Sequence, residues 1–345
     1  MKSIEINKLV RTNILKMKAY SSARSEYEGL DGIFIDANEN PYGVYNRYPD
    51  PLQKELKTKI AELKNLKSNQ VFIGNGSDEI IDLAIRIFCD PKEDKILLFS
   101  PSYGMYSVSA NINNVDYISI PLDKNTEIDT ALLDPYYTDL NIKLMFICSP
   151  NNPTGNSIPR KKLRTIIENF NGIVLIDEAY IDYSDQASAI SLLTEYNNII
   201  ILQTFSKAWA MASIRVGMAF ANKEMIRYLN KVKPPYNISS INQQAILKQL
   251  TKKKLIDAQI SECKKERNRI TSFLNQLQFV KRVFPSDANF ILIKVEDAND
   301  LYQYLVESKI IIRNRNSQII NCLRISIGSP KQNTALIESL KKYNA

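Results

Sequence analysis

The chain contains no histidine among its 345 residues. Ser-His-Asp and Cys-His nucleophilic catalysis are therefore excluded, as is every histidine-ligated metal site. Cysteine is scarce. Cys89, Cys148, Cys263 and Cys322 stand alone, with no C-x-x-C pair. Zinc and iron–sulfur sites are not expected from such spacing, no metal is expected at all, and reduced thiols are. No apolar run approaches the roughly 18 residues of a membrane span. Residues 1–20 carry charges throughout, which leaves no signal-peptide hydrophobic region. A cytoplasmic chain without a membrane partner is the expectation. The G-x-x-x-x-G-K-[ST] phosphate loop is absent, and Gly74-Asn75-Gly76 lacks the third glycine of a dinucleotide fingerprint. Whatever chemistry occurs must use Lys, Arg, Asp, Glu, Tyr, Ser or a cofactor.

What is present is an ordinary globular composition, 44% apolar and 24% charged, with no repeat and no low-complexity stretch. It excludes a disordered tail, a collagen-like chain and a coiled-coil rod. The length suggests about two domains. Lys and Arg number 45 against 37 Asp and Glu, a formal charge of +8. The basic clusters (Lys161-Lys162, Lys252 to Lys254, Lys264-Lys265, Lys341-Lys342) are short and scattered, as on solvated helix faces. No nucleic-acid partner is expected, and an enzyme of anionic small molecules fits the charge as well.

From about residue 70, short apolar runs alternate with helical patterns. The runs are Val71 to Ile73, Lys95 to Phe99, Lys143 to Cys148, Gly172 to Ile176, Asn198 to Leu202 and Val216 to Ala221. Such runs read as strands buried on both faces of a mostly parallel α/β sheet. Residues Ile80 to Phe88 show helical spacing. A long helix-rich stretch, Ser239 to Leu277, leads out of this unit. Beyond Pro285, strands at Ala288 to Val295, Lys309 to Arg313 and Cys322 to Ile327, with helices at 297–308 and 330–343, predict a smaller α+β unit. The expected division is an N-terminal arm at 1–35, packed on the small unit or on another subunit, a large domain at 36–245 and a small domain at 246–345.

Four loops follow apolar strands, where ligands sit in open α/β sheets. Thr204-Phe205-Ser206-Lys207 places a lysine beside hydroxyls, a candidate for a Schiff base with a carbonyl cofactor. Asp177, ending the strand before Glu178-Ala179-Tyr180, is an acid whose burial calls for a cationic partner such as a ring nitrogen. Ser149-Pro150-Asn151-Asn152-Pro153-Thr154-Gly155 is a rigid turn presenting asparagines. Gly74 to Glu79 opens a helix whose free N–H groups suit a phosphate. Taken singly, each is also explained as a surface lysine, a helix cap or a turn.

Together, and with Arg215, the four loops resemble the fold-type-I pyridoxal-phosphate aminotransferases over essentially the whole chain. Lys18 to Arg24, Asp36-Ala37-Asn38-Glu39-Asn40-Pro41, Arg47-Tyr48-Pro49-Asp50 and Ser102-Tyr103-Gly104-Met105-Tyr106 are similar to the histidinol-phosphate branch of that family. The resemblance implies a large α/β domain plus a smaller α+β domain, with pyridoxal 5'-phosphate as cofactor. It implies transamination of histidinol phosphate with 2-oxoglutarate in histidine biosynthesis. By the resemblance, Lys207 carries the cofactor and moves the proton, and Asp177 faces the pyridinium nitrogen. Asn151 and Tyr180 bond the ring oxygen, and Tyr103 stacks on the ring. Ser77, Asp78, Ser206 and Arg215, with Thr204, hold the phosphate. Tyr48 reaches that phosphate from a neighbouring subunit, so a homodimer with shared sites is implied. Arg324 grips the α-carboxylate, and Arg313 binds the substrate phosphate with Tyr20 and Asn38.

The family pattern after the lysine carries glycines where this chain has Ala210 and Ser213, and any positive φ there would be strained. Ala19 stands where the family often has proline. Within the same fold, threonine-phosphate decarboxylase and aromatic aminotransferases share most of these motifs and remain alternatives. A non-catalytic regulator of this fold would need an added DNA-binding domain, for which the chain has no residues to spare.

Overall fold

A computed structural model describes residues 4–21 and 32–343. Ser22, Ala23 and Arg24 of the motif beginning at Lys18 lie outside them. Seven strands form the large sheet: β1 (Val71–Gly74), β2 (Lys95–Ser100), β3 (Asp116–Pro121), β4 (Ile142–Cys148), β5 (Ile173–Asp177), β6 (Ile199–Thr204) and β7 (Gly217–Phe220). Their spatial order is β1-β7-β6-β5-β4-β2-β3. Pairs β2–β3, β2–β4, β4–β5 and β5–β6 are parallel, and β7 runs antiparallel to both its neighbours.

Side chains alternate faces along a strand, and here both faces are apolar. On β5, Val174 and Ile176 enter one core while Ile173 and Leu175 enter the other. The first core is closed by Leu56 and Ile60 of helix Lys54–Lys64 and by Leu163 and Ile166 of helix Arg160–Asn169. The second is closed by helix Ser77–Phe88, whose Ile80, Ile81, Ala84, Ile85 and Phe88 form one apolar stripe. Burial on both faces holds each parallel strand so that its carboxyl end points to the same edge.

Ile6, Val10 and Ile14 also belong to the second core, beside Phe88, Met225 and Tyr228. Asn197 fixes the arm through both backbone groups of Ile4, at 3.0 and 2.7 Å. The start of the chain thus lies on the large sheet's helices rather than on the small unit, a correction to the expected placement. Its apolar residues match helix faces that the sheet leaves open.

The small unit has four antiparallel strands in the order β10-β11-β9-β8: β8 (Val280–Val283), β9 (Phe290–Val295), β10 (Arg313–Asn314) and β11 (Cys322–Ser326). The strand expected over Lys309 to Arg313 is reduced to Arg313–Asn314. Lys309 turns through φ +60° and Ile311 faces solvent. Helix Lys253–Leu274 joins the units, with Ile256 in the large core and Ile270 and Leu274 in the small one. Phe290, the first residue of β9, also reaches the large core. That contact sets β11 and Arg324 against the edge of the large sheet.

Candidate active site

The carboxyl ends of β1, β4, β5 and β6 and the loop after β2 surround one cavity of about 500 Å³, open on one side to solvent. Ser77, Asp78, Tyr103, Asn152, Asp177, Tyr180, Thr204, Ser206, Lys207 and Arg215 line it, with Cys148 and Ala179. Backbone bonds lock the strand ends together. Ser149 N–H donates to Asp177 O at 2.9 Å, and Glu178 N–H donates to Leu202 O at 2.8 Å.

Asp177 is buried at the end of β5. Its carboxylate accepts from Tyr106 Oη at 2.8 Å and from Ala179 N–H at 3.0 Å. Burial nevertheless raises its pKa above the ordinary carboxylate range, because two hydrogen bonds do not replace full hydration of a charge. A cation seated in the cavity would restore the balance. Tyr106, which holds this carboxylate, has no role in the resemblance as read from the sequence. Its signal was its place three residues after Tyr103, one helical turn away. The rings of Tyr103 and Tyr106 meet edge to face at 5.6 Å, and Phe146 stacks on Tyr106 at 5.0 Å.

Lys207 follows β6 by three residues, and its Nζ lies 5.5 Å from the centre of the Tyr180 ring. Burial first, and then the charges of Arg324 and Arg215, lower its pKa, against the opposing pull of Asp177 and Asp78. The amine is thereby biased toward its neutral, nucleophilic form. Tyr180 is buried, with its phenol pushed above the ordinary value by desolvation. Its ring packs edge-on against Phe290 at 5.1 Å.

Helix Ser77–Phe88 starts at Gly76, which adopts φ +82° and provides no capping side chain. The first-turn N–H groups therefore have no cap from the chain and face the cavity, a ready anion site. Two glycines make this possible. A Cβ on Gly76 would stand 2.8 Å from Arg215 Nη2, and one on Gly217 would meet Ser77 N at 2.4 Å. Arg215 lies across this helix start. Its Nη2 is 3.7 Å from Asp78 Oδ2, and its Nη1 donates to Ser206 Oγ at 3.5 Å. Tyr103 Oη donates to Asp78 Oδ1 at 3.0 Å, which fixes the ring over the cavity. Thr204 Oγ1 accepts from Ser206 N–H at 3.1 Å and shapes the turn.

The asparagine loop corrects one expectation. Asn151 is turned into its own loop: Nδ2 donates to Pro101 O and Thr154 Oγ1 at 3.0 and 2.7 Å, and Oδ1 accepts from Ser102 Oγ at 2.7 Å. Its amide is saturated, so Asn152 is the residue that lines the cavity. Asn152 Oδ1 accepts from Arg324 Nη1 at 2.5 Å. Arg324 rests on the Phe290 ring at 5.1 Å. Arg313 pairs with Arg324 across β10 and β11 and is therefore on the same side of the sheet. Arg315 was missed from the sequence. Its Nη2 lies 3.5 Å from the same Asn152 oxygen.

Tyr20, Asn38 and Tyr48 are not brought to this cavity within the chain. Tyr20 is exposed. Asn38 and Tyr48 line a separate surface hollow with Asn40 and Arg47, and Tyr48 stacks on Tyr236 at 4.4 Å. Among the described residues no group of three acids or cysteines could hold a metal, and no helix is long and apolar enough to cross a membrane.

A lysine with a lowered pKa, a buried acid and an anion-binding helix start at the strand ends define a cofactor-dependent α/β enzyme. The family described as "Aminotransferase class I and II" matches residues 34–340. The histidinol-phosphate aminotransferase of Cytophaga hutchinsonii is 47% identical over 349 residues, covering 99% of this chain and 100% of that protein. That of Parabacteroides distasonis is 47% identical over 341 residues, covering 98% of each. The crystal structure of the histidinol-phosphate aminotransferase from Clostridium acetobutylicum superposes with a TM-score of 0.80 at 30% identity, covering 86% of this chain and 90% of that one. The chain belongs to the class I and II aminotransferase family.

Proposed function

We propose that the chain is a pyridoxal-phosphate-dependent transaminase of L-histidinol phosphate and 2-oxoglutarate, forming imidazole acetol phosphate and L-glutamate. The observation that carries this most directly is the placement of Lys207, Asp177 and the uncapped helix start around one cavity. The full-length similarity to histidinol-phosphate aminotransferases supports the choice of substrate.

The residues present fit the cofactor. Ser77 and Asp78 N–H, Ser206 and Arg215 would hold its phosphate, with Thr204 setting the turn. Asp177 would face its ring nitrogen, and Tyr103 would lie on its ring. Tyr180 and Asn152, rather than Asn151, would donate to its ring oxygen. When bound, pyridoxal phosphate supplies an electron sink for the carbanion formed at the substrate's amino-bearing carbon. Ionised Asp177 would keep a proton on the ring nitrogen of a bound cofactor. Lys207 Nζ would carry the proton between the amino-bearing carbon of the substrate and the cofactor's aldehyde carbon, in one direction with the donor and in the reverse with the acceptor. Arg324 binds the α-carboxylate of 2-oxoglutarate or glutamate through its planar fork, and Asn152 orients that fork. Arg313 lies on the same sheet face to meet the substrate phosphate.

A cytoplasmic homodimer with shared sites belongs to the same proposal. Ile33, Ile35, Tyr42, Val44 and Tyr45 are each more than three-quarters exposed. So many exposed large apolar side chains in one segment mark an interaction surface. The segment carries Asn38 and leads to Tyr48, which in a dimer would serve the neighbour's cavity, as would exposed Tyr20.

The test is glutamate formation by the purified holoenzyme. Glutamate should appear only when histidinol phosphate and 2-oxoglutarate are both present. Lys207→Ala should lower the rate by at least about 10⁴-fold. Carbon dioxide release from phosphothreonine without glutamate formation would move the function to a decarboxylase.

A further inference from the structure

Arg315 and Arg324 together present more positive charge than the rest of the site explains. Arg315 N–H donates to Cys322 O at 3.0 Å, which holds it beside β11 just past the end of β10. Arg315 Nη2 and Arg324 Nη1 both point at Asn152 Oδ1, at 3.5 and 2.5 Å. The Nε atoms of both arginines are buried and have no hydrogen-bond partner among the described residues. Neither guanidinium makes an ion pair with an acid among the described residues; burial and the charges of Arg324 and Arg313 weigh against the Arg315 charge, and burial and the charge of Arg313 weigh against that of Arg324. One neutral amide oxygen thus stands between two guanidiniums. A neutral side chain at position 315 would fill the same place without like-charge repulsion.

Two anionic groups make different demands here. A carboxylate has one charge and two oxygens, and a single guanidinium fork satisfies it. A phosphate monoester carries about −1.5 to −2 charge near neutral pH and three acceptor oxygens, so it can use a further fork beside those of Arg324 and Arg313. We propose that Arg315 is a substrate-specificity residue: beside Arg324 it contacts the phosphate of the amino donor and selects a phosphooxymethyl group over a carboxylate at that position. The inference rests on the proposed transamination of histidinol phosphate.

The test compares two donors that differ at this group alone. L-Histidine bears a carboxylate where histidinol phosphate bears a phosphooxymethyl group. Single-turnover donor half-reactions of the holoenzyme are followed by the absorbance of the bound cofactor, for wild type, Arg315→Gln and Arg315→Lys. In Arg315→Gln the preference for histidinol phosphate over L-histidine, as a ratio of kcat/KM values, should fall by about tenfold or more. Arg315→Lys keeps the charge without the fork and should recover part of it. Equal losses on both donors, or an unchanged ratio in both variants, would overturn the inference. Should Arg315→Gln fail to bind cofactor, the lysine variant decides by itself, with a smaller fall expected and an unchanged ratio contradicting it. A wild-type protein that ignores histidinol phosphate would instead overturn the function on which the inference rests.

Discussion

Lys207 and Asp177 owe their chemistry to opposite electrostatic problems. Burial and the Arg324 and Arg215 charges lower the lysine pKa, and burial raises that of the acid. Capture of pyridoxal phosphate by cofactor-free protein requires the neutral amine, so its rate should rise with pH through the Lys207 pKa. That midpoint should lie below the value of a free lysine. Because the Arg324 charge pushes it down, Arg324→Gln should move the profile to higher pH, and a profile that stays in place would contradict the coupling. Tyr106 acts on the acid. Its hydroxyl lowers the Asp177 pKa, against burial. Tyr106→Phe keeps the ring packed on Phe146 and removes a hydrogen bond to a charged group, worth about 1.5–3 kcal/mol. A fall in kcat of about tenfold or more, with the fold retained by circular dichroism, is expected. An unaltered kcat would leave Tyr106 a packing residue. Single residues also show where sequence reasoning stops. In Asn151-Asn152 the two amides are chemically equal, and only the path of the loop decides which one enters the cavity. Nothing in the sequence singled out Arg315, which reaches Asn152 because its backbone is paired with Cys322.

Among the elements, the strands that carry the site were legible because both their faces are apolar. β4, β5 and β6 read as continuous hydrophobic runs, and their ends mark Asn152, Asp177 and Lys207. β3 escaped because it is an edge strand, with Ile120 its one fully buried residue. β8, with Val280 and Val283 only half-buried, escaped for the same reason. The isoleucine run after Lys309 misled in the other direction, since apolarity alone does not make a strand. The loop between β6 and β7 brings Ser206, Lys207 and Arg215 to the cavity although it lacks the glycines of the family pattern. Ala210, where the family pattern has glycine, adopts φ +57°, whereas Ser213 is not in that region. A left-handed conformation costs an L-residue about 1–2 kcal/mol. Ala210→Gly should relieve it and raise stability by about 1 kcal/mol after the added chain entropy of glycine, read as an increased midpoint in urea unfolding. A lower midpoint would mean that the alanine methyl group contributes packing that outweighs the strain.

At the scale of the whole molecule, the proposed dimer would bring further residues to the cavity. The segment holding Asn38 and Tyr48 lies on an exposed apolar surface rather than over Lys207. The second, smaller sheet was readable from the change in pattern after residue 285. The seat of the arm was not, because it depends on which helix faces the large sheet leaves uncovered. If two copies bury the exposed segment against each other, the holoenzyme should sediment at twice 39.4 kDa. Val44→Asp, which would place a charge in that contact, should shift it toward the single-chain mass and lower activity with it. A fully active single chain would contradict shared sites.

The most direct measurement of the central claim is the visible spectrum of the purified holoenzyme through one full cycle. Addition of L-histidinol phosphate alone should remove the absorption band of the lysine-bound cofactor, and subsequent 2-oxoglutarate should restore it, with one glutamate formed per site. A bound cofactor whose band is unmoved by histidinol phosphate would contradict the account.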